Sequence, residues 1–381
     1  MDSDRAPLVR RFGAAAPAVV GGSLLIVALW LMPDLTPDEA IPVVGQHTDH
    51  GRILEAQGTD STGLPMYQVE LVETGERIQA VVQDSSGALP GTSAGRYRAG
   101  DEVAVTRFTG PAGGDFAVIS EPWRLSVLGL AALVFAVAVV VVGGFRGARA
   151  LVALALTLAV VIKLVVPLLL RGVDPILLAV GGGALVTLAT LLLTEGASRI
   201  TLAALLGTLI ALAATAGLAA LFTGLARFTQ LQGSEEIAYL IPLVGDRIDL
   251  QGILLAATVF GALGVLDDVT VTQAATVAQL HHARSDAGRR MVLGRAMHVG
   301  RSHIAATVNT LVLAYLGAGL PLMLLFALSG EAPLTVLNSE IVAVEVTRAL
   351  VGSIGIVAAV PITTVIATLL LVPRASSSSD A

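Results

Sequence analysis

Leu125-Ser-Val-Leu-Gly-Leu-Ala-Ala-Leu-Val-Phe-Ala-Val-Ala-Val-Val-Val-Val-Gly-Gly144 is twenty residues long and carries no charge. A helix of that length spans about 30 Å, the thickness of a bilayer's hydrocarbon core. The run has no polar face, so it reads as a membrane span rather than as one side of an amphipathic helix. Seven more apolar runs lie near residues 14 to 32, 151 to 170, 176 to 193, 200 to 223, 250 to 268, 304 to 328 and 349 to 372. The whole chain of 381 residues is 55% hydrophobic and 14% charged, with a mean hydropathy of +0.81, more apolar than a soluble protein of this length can bury. The expected class is a polytopic α-helical membrane protein with about eight transmembrane helices.

The first run follows Arg5, Arg10 and Arg11, and Met32-Pro33-Asp34 offers no small-x-small cleavage site. Residues 1–32 therefore read as a cytoplasmic tail and an uncleaved signal anchor. Residues 33–123 are different in kind, with 14 Asp or Glu against five Arg and short alternating runs. Strands are expected from Gly51, over Met66–Val72 and Arg77–Val82 as a hairpin about Glu73-Thr-Gly-Glu76, after Tyr97, and at Phe116. A small all-β barrel of the oligonucleotide- or oligosaccharide-binding (OB) type is the economical solution, because closure removes free edges; a small open antiparallel domain is the alternative. The insert lacks interleaved aromatic and basic residues, so nucleic acid is not expected as a partner. There is no cysteine, which excludes disulfides and thiolate chemistry.

Residues 124–373 hold the other seven runs, and 374–381 read as a disordered cytoplasmic tail. With eight spans both termini share one side. If that side is the cytoplasm, its segments hold twelve arginines and the short outer loops only Arg124, Arg171, Arg227 and Arg247. That asymmetry fits the positive-inside rule and puts the acidic β domain outside. The runs 252–280 and 340–372 exceed one span; each fits a single, a broken or a re-entrant helix, its polar end interfacial in the first case.

Several strings in the second half occur in a fixed order. They are Gly261-Ala-Leu-Gly-Val-Leu-Asp-Asp-Val269, Gly294-Arg-Ala-Met-His-Val-Gly-Arg301 with Thr307-Val-Asn-Thr-Leu-Val-Leu-Ala-Tyr-Leu-Gly317, and Leu350-Val-Gly-Ser-Ile-Gly355 with Val360-Pro-Ile-Thr-Thr364. Together they resemble the YibE/F family of bacterial integral membrane proteins, over most of residues 125–372. The β domain resembles the family only in position and character. Where the family pattern has one aspartate before valine, this chain has Asp267 and Asp268; Asp268 matches and Asp267 is extra. The resemblance implies a multi-pass protein of the bacterial plasma membrane, a permease of unknown substrate, and supplies no cofactor.

Asp267 and Asp268 are the leading site candidates, since a charge within a span costs roughly 2.5 to 3.5 kcal/mol on insertion scales. In one reading Gly261 and Gly264 weaken the helix and Asp268 caps a second half-helix, the broken-helix device of transporters. In the other, the helix simply ends there at the membrane surface. Lys163, the only lysine, lies about 18 Å beyond Leu151, near mid-membrane. Depth favours a cluster of Lys163 with Glu345 and Arg348 over a pairing with the aspartates; a structural ion network is the plainer alternative. Asn309 and Thr310 read equally as ligand contacts or inter-helix glue. Arg295, His298, Arg301 and His303 suit contact with anionic lipid, or a segment feeding a pore. His281 and His282 are adjacent and make a poor metal pair, so no metal site is expected.

No zinc-protease, serine-elbow or phosphate-loop motif is present, so an enzyme is not expected. The sequence points to a permease or exporter, in which coupling to protons or another ion would run through Asp268. The competing reading is a non-transporting envelope scaffold or sensor acting through the exported β domain. Expected partners are membrane lipid, a small solute or ion, and an envelope protein or a second copy of the chain.

Overall fold

A computed structural model describes residues 20–32, 46–60, 63–82, 97–109, 115–228 and 249–373. The amino-terminal arginines, Arg247 and the tail from residue 374 lie outside the described residues. The chain divides into two compact units, Asp38–Ala138, and Met1–Pro37 with Val139–Ala381.

The first unit contains a closed five-stranded barrel in the order β1-β2-β3-β5-β4. Its strands are β1 (Gln46–Thr59), β2 (Pro65–Leu71), β3 (Arg77–Val82), β4 (Glu102–Thr109) and β5 (Asp115–Pro122). The expected hairpin is β2–β3, antiparallel with Gln68 opposite Gln79, while β3 and β5 pair in parallel. β1 begins earlier than expected because one long strand serves two neighbours. Its first half pairs with β4 and its second with β2, and Gly51 stands opposite both Val103 and Leu71. Gly51 faces the barrel interior, where a Cβ would lie 2.5 Å from Val69 Cγ1 and 2.9 Å from Val105 Cγ2. Alternate residues of every strand, among them Ile53, Val69, Leu71, Val103, Val105 and Ile119, fill that interior.

The second unit is helical. α1 is Val20–Leu31, α2 Leu125–Leu170, α3 Pro175–Thr194, α4 Arg199–Ala226, α5 Leu250–Ala283, α6 Arg289–Ala318, α7 Leu320–Ser329, α8 Pro333–Asn338 and α9 Glu340–Leu371; α2 begins in the first unit. Among the described residues five helices are long and apolar enough to cross a membrane, or six if the bent pair α6–α7 is one span. α4, α5 and α9 form the centre, with α3 against α4 and α5, and α6 against α5 and α9. Leu212, Val259, Leu266 and Ile356 are fully buried there. Glycines let these helices approach, as Gly207 does beneath Thr363 and Gly355 beneath Thr215.

The backbone distinguishes between the readings left open for the long runs. α2 carries two expected spans without a loop between them. It is two helices that meet at Gly144, whose φ of 57° and ψ of −137° are non-helical and suit a residue without a Cβ. The long runs at 250–283 and 340–371 are each one continuous helix, α9 accommodating Pro361 within it. The broken segment is instead α6–α7, bent by 60° at Gly319. Pro321 explains the break, having no N–H to continue the ladder of α6.

Candidate functional site

Asp267 lies in the interior of α5, with helix on both sides of it. Gly261 and Gly264 therefore do not break the helix, and Asp268 does not cap a half-helix. The helix continues through both glycines. A Cβ on Gly261 would stand 2.8 Å from the Tyr315 hydroxyl of α6, whereas one on Gly264 would meet nothing within 4 Å. Helix termination at the aspartates is excluded on the same ground.

Depth follows from the neighbours. Pro175 packs at Gly252, Gly182 at Phe260, and the Thr187 hydroxyl donates to Asp267 Oδ1 at 3.0 Å and Oδ2 at 3.2 Å, so α3 and α5 run parallel. Thr187 lies seven residues before the end of α3, which sets Asp267 about 10 Å inside that 20-residue helix. Thr187 is wholly buried. Thr270 donates to the Asp267 carbonyl oxygen at 3.1 Å, and the Thr208 hydroxyl of α4 lies 2.6 Å from that of Thr270 and also bonds the Asp267 carboxylate. A chain of hydroxyls thus joins α4 to the backbone beside the carboxylate.

Asp268 points elsewhere. It is exposed, and His303 of α6 is the basic group that interacts with it electrostatically. Both carboxylates border a cavity of about 950 Å³ between α2, α3 and α5. Arg146, Glu195 and Thr190 border the cavity as well, with Phe260 among its apolar walls. α2 runs against α3, since Arg149 Nε donates to the Leu193 carbonyl while Val165 meets Gly182. The cavity therefore extends from Arg146, Glu195 and Thr272 at one end to Leu169 and Ile253 at the other.

The expected cluster of Lys163, Glu345 and Arg348 is divided. Lys163 lies in a π-helical turn, Val161–Val165, with Nζ 5.0 Å from the centre of the Trp30 ring of α1. Glu345 accepts from Arg348 at 2.7 Å on its own helix, and both interact with Tyr315 of α6. Lys163 is not among the residues that line the cavity, whereas Val161 and Val165 of the same turn are. Asn309 and Thr310 are exposed, and the Thr310 hydroxyl donates to Ala306 of its own helix at 2.9 Å, so neither joins the aspartates. Arg295, His298, Arg301 and His303 are each exposed on α6. Among the described residues no three of His, Cys, Asp or Glu stand close enough to hold a metal.

Other polar residues were passed over in the sequence. Gln273, 3% exposed, donates to the Ala296 carbonyl of α6 at 2.9 Å and to the Thr364 hydroxyl of α9 at 2.6 Å. Gly300 leaves room for it, since a Cβ there would lie 2.9 Å from Gln273 Oε1. Thr201, Thr208 and Thr215 recur at seven-residue spacing and are all buried, a polar stripe that periodicity could have disclosed.

The family model described as YibE/F-like protein matches residues 131–373. The chain belongs to the YibE/F family. No curated protein and no solved structure matches it. The YibE/F region begins within α2 and closes just past α9, so it contains the whole cavity and both aspartates while the barrel strands precede it. The ordered strings fall on three helices that touch one another. Gly261–Val269 lies on α5, Gly294–Gly317 on α6, and Leu350–Thr364 on α9.

Proposed function

We propose that this YibE/F protein is a permease or exporter of the bacterial plasma membrane, with Asp268, assisted by Asp267, in its pathway. The observation that carries the reading is the cavity of about 950 Å³ that reaches both carboxylates within the helical unit. A carboxylate at that depth is costly, and a built cavity beside it gives the cost a purpose. Eight spans, with α1, two in α2, and α6–α7 as one broken span, leave both termini in the cytoplasm. The arginine distribution supports that orientation and puts the barrel outside. The strand order, with a long first strand shared by β2 and β4, supports the OB type. No catalytic role is assigned.

The test is charge movement in liposomes containing the full chain, recorded on a solid support while pH steps and a panel of solutes are applied. A current that disappears in Asp268→Asn, with the protein still inserted and folded, is the expected result. An Asp268→Asn protein as active as the parent would overturn the role of this carboxylate. The scaffold reading is favoured by one observation, the separate compactness of the β unit. A scaffold would tolerate Asp268→Asn and lose its partner association on deletion of residues 40–122.

A further inference from the structure

The cavity is chemically uneven along its length. Glu195, Asp267 and Asp268 lie toward one end, opposed among the lining residues by the single guanidinium of Arg146. Away from them the walls are hydrocarbon, with Leu154, Val165 and Leu263 around the Phe260 ring. Phe260, Gly264 and Asp268 follow one another at four-residue spacing, so they share a face of α5, with Phe260 and Asp268 about 12 Å apart along the helix axis. The Asp267 oxygens already accept from Thr187, which leaves Asp268 the more available of the two.

Three classes of occupant fit this surface badly. An inorganic ion would use the carboxylates and leave the apolar walls in contact with water. An anion would be repelled by the three carboxylates, which outnumber Arg146 and the neighbouring His303. A neutral apolar molecule would strip solvent from the carboxylates and return nothing to them. The geometry points to an amphiphilic organic cation, its ammonium- or phosphonium-like centre against Asp268 and its hydrocarbon along Phe260, Leu154 and Val165. The volume, about 950 Å³, lies within the range of small-molecule pockets. This assignment rests on the permease reading of the same cavity and names its substrate class, but it concerns binding and not movement.

The probe is radiolabelled tetraphenylphosphonium, added to the full chain in discs of zwitterionic lipid so that the bilayer itself offers no anionic surface. Saturable binding is expected, weakened roughly tenfold or more by Asp268→Asn. Gly264→Leu provides a second variant, because its side chain enters the cavity without meeting a neighbouring helix. It should keep the parent's unfolding midpoint or raise it and still lose the binding. Tetraphenylborate, of similar size and opposite charge, should not compete. Absence of saturable binding, equal competition by tetraphenylborate, or unchanged binding in Gly264→Leu would each overturn the assignment. Binding without any current in liposomes sinks transport and leaves the cation site standing. Currents that depend on Asp268 in a protein that does not bind the probe do the reverse.

Discussion

The buried hydroxyl of Thr187 on α3 donates to both carboxylate oxygens of Asp267 on α5, at 3.0 and 3.2 Å. This one side chain fixes the relative register of the two helices and holds the carboxylate against the bundle, leaving Asp268 to face the cavity. Thr187→Val keeps the shape and removes the donor. Bonds to charged acceptors contribute about 1.5–3 kcal/mol, and interhelical bonds in membranes often less, about 0.6–1.7 kcal/mol. Thr187→Val should therefore cost on the order of 1–2 kcal/mol in denaturant titrations of the reconstituted protein. In an Asp267→Asn background the cost should shrink; strict additivity would show that the contact contributes nothing.

Gly261 and Tyr315 make a steric pair across α5 and α6. Gly261→Val should destabilise by about 1–3 kcal/mol, because its Cβ would crowd the phenolic oxygen. Tyr315→Phe removes that oxygen and should recover part of the loss. An unaltered unfolding midpoint in Gly261→Val would mean that α5 and α6 are not in close contact at this level.

Arg289 spans the start of α6 and the end of α9. Its Nε donates to the Val372 carbonyl at 2.8 Å and its Nη2 to the Leu369 carbonyl at 3.1 Å. Those carbonyls close a helix and have no partner further along it, and a cation there also complements the helix dipole. Arg289→Ala should lower stability by about 1–2 kcal/mol and speed amide exchange over the last turn of α9. Arg289→Lys, with one compact donor group in place of a fork, should recover only part of the protection.

Lys163 and Glu345 now belong to separate contacts, the first over Trp30 and the second with Arg348. Their substitutions should add. The combined cost of Lys163→Met and Glu345→Gln is expected to match the sum of the single costs within about 0.5 kcal/mol. A larger discrepancy in unfolding titrations would restore the three-residue cluster.

The class of the molecule was legible because both of its signals are dense. Uncharged runs such as 125–144 admit little but helix, and the alternation and turn at Met66–Val82 locate a hairpin to within a residue or two. Family membership was legible from the order of the strings between Gly261 and Thr364. The site was half legible. Asp267 and Asp268 stand out in an apolar run, but counting inward from Leu250 placed them near a surface. The depth that matters is that of Thr187, which belongs to another helix. Gly261 and Gly264 were read as weak points because glycine propensity is a local property, whereas packing in the bundle keeps α5 continuous. Gln273 gave no signal at all, since an amide is as common in an exposed turn as at the junction of three helices. The Lys163 cluster failed because depth along a helix says nothing about which way around it a side chain points.

The Gln273 junction also bears on how this sequence can change over time. Its amide occupies the space that a side chain at residue 300 would need, and it spends its protons on Ala296 and Thr364. A side chain at residue 300 would also meet the Val360 methyl at 2.5 Å, so residue 300 is free to become alanine or serine only after residues 273 and 360 have both given way, and a shorter residue 273 releases residue 364 from its role as acceptor. Positions 273, 300 and 364, far apart along the chain, form a single heritable unit, and among descendants of this sequence they are expected to be kept or replaced together.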